Sequence, residues 1–108
     1  MKMSESSIKI EGSPNYLHKK TVTVGTTAVQ ALHKNKKRAG YRIISLSSNV
    51  DSIYHGHNSR VTSTSVDQIL PGGKLIDEGV WETIYRGEVW LISGTASQSV
   101  EVEEIVKV

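Results

Sequence analysis

The stretch EVWLISGTASQSVEVEEIVKV, residues 88–108, decides the fold. In its first half Trp90 and Ile92 project to one side of an extended chain and Val89 and Leu91 to the other. A strand that is apolar on both faces lies in the middle of a covered sheet or offers one face to another subunit. Gly94 then opens a turn, after which Val100 and Val102 share one face and Glu101 and Glu103 the other. The apolar alternation breaks at Glu103 and Glu104, where a β-bulge would turn Ile105 back toward the core.

Upstream, the same grammar recurs. TVTVG (21–25) alternates Thr and Val and stops at glycine. YRIISLS (41–47) and VDSIYH (50–55) meet at Ser-Ser-Asn and read as neighbouring antiparallel strands. VTSTSV (61–66), KLID (74–77) and ETIYR (82–86) supply further extended segments, and LPGGK (70–74) reads as a type II turn with Pro71 second and Gly72 third. The best helical candidate, TTAVQALHKNKKR (26–38), fits an extended segment about as well. Glycines at 25, 40, 56, 72, 73, 79, 87 and 94 punctuate the chain at the spacing of an all-β sandwich or barrel, and no βαβ alternation appears. The expected fold is all-β: an antiparallel β-sandwich or jelly roll of about seven or eight strands.

Bulk properties set the limits. A chain of 108 residues fits one domain and can bury one core. It has no cysteine, so neither disulfides nor a thiolate metal site contribute. Phe is absent, which leaves the core to Val, Ile and Leu, with two Trp and four Tyr beside them. No apolar run approaches the ~20 residues of a membrane-spanning helix, so no membrane partner is expected. A net charge of +2 is too small to argue for nucleic acid. The opening MKMSESSIKIEGSPN lacks the apolar centre of a secretory signal and reads as a flexible polar arm over 1–15, with a single sandwich domain over 16–108.

Three clusters carry possible chemistry. His55 and His57, in HGH, have the spacing of paired metal ligands on a strand. A site needs a third ligand, however; NSRVTSTSVDQ (58–68) contains no Glu and no His follows His57, so exposed imidazoles at a strand end are expected, with no metal or cofactor. HKNKKR (33–38) concentrates Lys34, Lys36, Lys37 and Arg38. This run reads as a solvated loop that guards a sheet edge or meets an acidic partner, with Glu101, Glu103 and Glu104 of a second copy one candidate. Without aromatic neighbours beyond Tyr41 it is a poor nucleic-acid surface. Trp81 and Trp90, with Tyr54 and Tyr85, fit a core, a protein interface or a sugar-binding face. No G-x-S-x-G elbow, cysteine nucleophile or marked carboxylate pair appears, and no enzymatic activity is expected.

The ordered string of segments adds a resemblance. TVTVGTTA (21–28), NKKRAGYRIISLSSNV (35–50), IYHG (53–56), VT (61–62), LPGG (70–73) and EVWLISGTAS (88–97) followed by VEVEE (100–104) resemble small β-sandwich virion proteins of tailed phages, of the head-decoration or head-fibre base class. The resemblance covers roughly residues 20–105; DEGVWETIYR (77–86) is longer than the usual connection, and HGH stands where a plain glycine is typical. It implies a non-enzymatic protein on the capsid surface of a virion that binds the major capsid protein as a homo-oligomer, a trimer above all. Lys34, Lys36, Lys37, Arg38, Trp81 and Trp90 are then the expected partner-binding residues. The alternative, from the aromatics, is a carbohydrate-binding β-sandwich module for host or glycan attachment.

Overall fold

Extended β-branched segments broken by glycine and proline run through the chain, and the computed structural model folds them into strands. It describes residues 6–9, 15–78 and 85–107. Among these residues there are nine strands and no helix: β1 (Ser6–Lys9), β2 (Asn15–Val24), β3 (Val29–Leu32), β4 (Arg38–Ser45), β5 (Ile53–Gly56), β6 (Gln68–Leu70), β7 (Leu75–Glu78), β8 (Val89–Ser93) and β9 (Gln98–Lys107). They form two sheets, in the orders β1-β2-β9-β4-β7 and β3-β8-β5-β6.

The pairing is nested. β2 pairs with β9, β3 with β8, β4 with β7 and β5 with β6, all antiparallel. The chain is thus one long hairpin, bent back on itself between β5 and β6 and rolled so that alternate rungs fall in opposite sheets. The β4–β9 and β5–β8 pairs then join the rungs within each sheet. This is a jelly roll, the double-sheet solution to protecting strand edges, with β1 added beside β2.

The two inner faces meet in an aliphatic core. Val24, Ile43, Val100 and Val102 come from one sheet and Ala31, Leu32, Ile53, Leu70, Val89 and Leu91 from the other, with Tyr41 the aromatic member. β8 is central in its sheet: Val89 and Leu91 face the core, and Trp90 and Ile92 are half-buried on the outer side. One end of the sandwich is closed by side chains that bond the backbone. Asn49 donates to Ser99 O at 2.8 Å and accepts from Ser99 N at 2.7 Å, while Gln98 Oε1 accepts from Val50 N at 2.8 Å.

Those bonds explain one departure from expectation. Residues 41–47 and 50–55 are not a hairpin; β4 and β5 lie in different sheets, and Asn49 ties the crossing segment to β9. VTSTSV is a loop, not a strand, because Thr62 Oγ1 accepts from Ser65 N at 2.9 Å and so replaces a ladder bond. Within the 26–38 segment Val29–Leu32 is extended, as β3, and Arg38 opens β4, with a bend before β3 and a turn between the two. In the PGG turn Lys74 N donates to Pro71 O at 3.0 Å, so proline is first and Gly73, at φ 85°, occupies the third position that demands a left-handed residue. The arm expected over 1–15 contains β1, and β2 already starts at Asn15. In the expected ETIYR strand, Tyr85 and Arg86 are outside any strand and 82–84 lie outside the described residues.

The bulge is also displaced. β9 runs in unbroken register against β2 from Gln98 to Lys107, so Glu104 falls on the inner face with Val100 and Val102. The irregularity is on β4 instead, between Arg38 and Gly40, opposite Val106 and Ile105. A bulge there turns Arg38 inward to meet Glu104.

Gly56 is a close-approach position. A Cβ there would lie 2.7 Å from Val61 Cβ, whose branched root cannot swing aside. Gly56→Ala is expected to cost about 1–3 kcal/mol through overpacking, read as a shift in the urea midpoint at unchanged slope.

Candidate functional site

At the end of the sandwich away from Asn49, the inner faces turn polar. The bulge in β4 buries Arg38 completely. Its Nε donates to Glu104 at 2.8 Å, one terminal nitrogen donates to Tyr85 O at 2.9 Å and Gly87 O at 3.0 Å, and the other donates to His33 O at 2.7 Å. The guanidinium also lies 5.4 Å from the centre of the Tyr41 ring.

Tyr41 leads across the interior to β5. Its hydroxyl is 3.4 Å from His55 Nε2, and the two rings are nearly parallel at 6.3 Å. Odd positions of β5 face the core, so His55 is only 3% exposed. Its Nδ1 is, among the described residues, the one buried side-chain polar atom with no hydrogen-bond partner. Burial above all, then the charge of His57, pushes the His55 pKa down to about 4 against a smaller upward pull from Asp67. The ring is therefore neutral near pH 7.

His57 follows the strand end. It meets His55 edge-on at 5.5 Å and stacks on Tyr85 at 3.8 Å. Its Nδ1 lies 3.1 Å from Asp67 Oδ2. Asp67 is held in place by its own backbone, whose N–H donates to His55 O at 2.8 Å. The connecting loop is shaped by Asn58, which accepts from Arg60 N at 2.8 Å, and by the Thr62 turn. One ligand atom each from His55, His57 and Asp67 thus falls within 4.8 Å of the others.

Comparison with protein-family models, curated proteins and solved structures finds no match.

The expected site residues divide sharply. Lys34, Lys36 and Lys37 are exposed on the loop between β3 and β4. Arg38 is not a partner-binding residue: its charge is consumed inside the chain. The acidic run expected to receive those lysines from a second copy is engaged internally as well, with Glu103 3.6 Å from Lys19 and 3.8 Å from Arg42, and Glu104 on Arg38. Trp90 is half-buried on the outer face and donates to Glu88 at 2.8 Å. Trp81 lies outside the described residues. The expectation of two exposed imidazoles holds for His57 and fails for His55, which the strand alternation points inward. Asp67 carries no signal in the sequence: it is an aspartate after a loop without periodic pattern, where the HxH pattern calls for glutamate. A groove of about 180 Å³ lined by His18, Lys20, His33, Lys34 and Glu104 lies elsewhere, on the Glu104 side of the Arg38–Glu104 pair, and none of its lining belongs to the His55–His57–Asp67 cluster.

Proposed function

We propose that the chain is a non-enzymatic structural protein of a virion, a jelly-roll module that sits on the capsid surface and binds the major capsid protein as a homo-oligomer, with three copies about an axis the simplest closed form. The observation that carries this reading is a row of side chains on the outer face of the smaller sheet. Ile92, Tyr54 and Ile69 stand directly opposite one another on β8, β5 and β6. Trp90 is two residues from Ile92 on the same face. Ile69 is 53% exposed, although the same sheet has a fully formed core on its other side. Apolar side chains aligned across three strands on a second face suit a protomer that covers them with a neighbour. The order of segments that resembles phage decoration proteins points the same way, and Lys34, Lys36 and Lys37, exposed and free of the Arg38 role, remain for an acidic capsid surface.

Size-exclusion chromatography with light scattering, followed by cosedimentation with undecorated capsids, tests the reading. The native chain is expected to elute as a stable oligomer. Ile69→Asp, a surface change that leaves the core untouched, is expected to weaken self-association by roughly 30-fold or more, the scale of a lost interface anchor. A native chain that is monomeric and ignores capsids overturns the proposal, and specific glycan binding by that monomer would transfer Tyr54 and Trp90 to the sugar-binding alternative.

A further inference from the structure

We propose that His55, His57 and Asp67 bind one divalent cation of the zinc class, which ties the loop between β5 and β6 to the end of β5. The donor set selects the ion. Two imidazoles and one carboxylate suit zinc and its neighbours, whereas calcium and magnesium take oxygen ligands almost alone.

The geometry is close to formed. With metal–ligand distances of 2.0–2.2 Å, tetrahedral ligand atoms stand about 3.4 Å apart. His57 Nδ1 and Asp67 Oδ2 are already 3.1 Å apart. All three ligand atoms lie within 4.8 Å of one another, so closing the set takes at most a little over an ångström. That movement falls to His57 and Asp67, whose side chains are 40% and 47% exposed.

The buried member is already prepared. His55 has an unpartnered Nδ1, a group whose burial without a bond is ordinarily unfavourable, and a cation satisfies it. Its other nitrogen faces the Tyr41 hydroxyl at 3.4 Å. A metal-bound histidine normally donates its second ring N–H to an oxygen, which fixes the tautomer that leaves the opposite lone pair on the metal. Tyr41 is that oxygen. Three protein ligands leave the fourth position to water. The role of the ion is structural: residues 57–67 contain no strand, and a bond from His57 to Asp67 through the metal closes the loop at both ends.

The test uses the full chain without a histidine tag, stripped with chelator and titrated with zinc chloride by calorimetry. The expected result is saturation at one equivalent, a rise in melting temperature with zinc, and no response to calcium chloride. His57→Ala and Asp67→Asn, both at exposed side chains, are each expected to lower zinc affinity at least 10-fold while the metal-free circular dichroism is unchanged. His18→Ala with His33→Ala, which removes the two imidazoles of the groove lined by Glu104, is expected to leave binding intact. Absence of saturable binding near one equivalent overturns the assignment. So does undiminished affinity in His57→Ala, or loss of binding in the groove variant.

Discussion

Arg38→Ala is expected to destabilise the chain by about 3–5 kcal/mol, the cost of removing one member of a buried ion pair and leaving the other uncompensated. That is a large share of the roughly 5–15 kcal/mol that holds an ordinary domain together. Four of the guanidinium's N–H groups have acceptors, and these come from three separate places: Glu104 on β9, His33 ahead of β4, and Tyr85 and Gly87 in the segment ahead of β8. The substitution leaves three backbone carbonyls without that donor and a carboxylate on an inner face. Arg38→Lys retains the charge and loses the planar fork that reaches all four acceptors, so it is expected to recover little. Glu104→Ala should be milder, because Arg38 keeps its carbonyl acceptors. In a double-mutant cycle read by urea melts, Arg38→Ala with Glu104→Ala is expected to be less damaging than the sum of the two by about 1–3 kcal/mol. A cost below about 1 kcal/mol for Arg38→Ala, the level of an exposed ion pair, would show that Arg38 does not hold this end of the sandwich closed.

Arg38 also shows where the sequence was silent. Period-two alternation is a local signal, and it made the Thr/Val strand before Gly25, the two-faced strand at 89–93 and the closing strand legible without any knowledge of partners. What alternation cannot carry is the identity of the residue across the interior. Arg38 ends a run of lysines and is indistinguishable from them until Glu104, 66 positions later, is placed opposite it. Glu104 looks like a break in phase in the sequence because a charge stands where an apolar residue is due. The phase was right, and the charge was an inward partner. The two strands that Ser47, Ser48 and Asn49 separate raise the same difficulty. A turn signal marks a change of direction, and only the bonds from Asn49 to Ser99 decide that the chain changes sheets there. In VTSTSV, β-propensity and local side-chain bonding pull in opposite directions, and the Thr62 hydroxyl prevails. The jelly-roll order followed from segments that were individually readable. The cluster at the end of β5 did not, since Asp67 is brought to His57 by a loop with no periodic pattern.

In metal-free protein, stability is expected to fall by about 2 kcal/mol between pH 7.5 and pH 5, with His55 the cause. Its pKa is pushed down to about 4 in the folded chain from an ordinary 6.5, mainly by burial and next by His57, with Asp67 opposing. Below pH 6.5 the unfolded chain takes up a proton that the folded chain refuses, so acid favours unfolding. The stability is complete above about pH 6.5, declines as pH falls toward 4, and levels off below that, where both states carry the proton. The full difference amounts to about 3 kcal/mol. Urea melts at half-unit pH steps in the presence of chelator measure the slope. His55→Gln has no proton to gain in this range, and whatever it costs in packing, it is expected to flatten the slope between pH 4 and 6.5. A native chain equally stable at pH 7.5 and pH 5 would mean that the imidazole is reached by water. An unchanged slope in His55→Gln would assign the acid sensitivity to another group. Either result would take from His55 the buried neutral ring that sets this end of the jelly roll apart from the aliphatic core beside it.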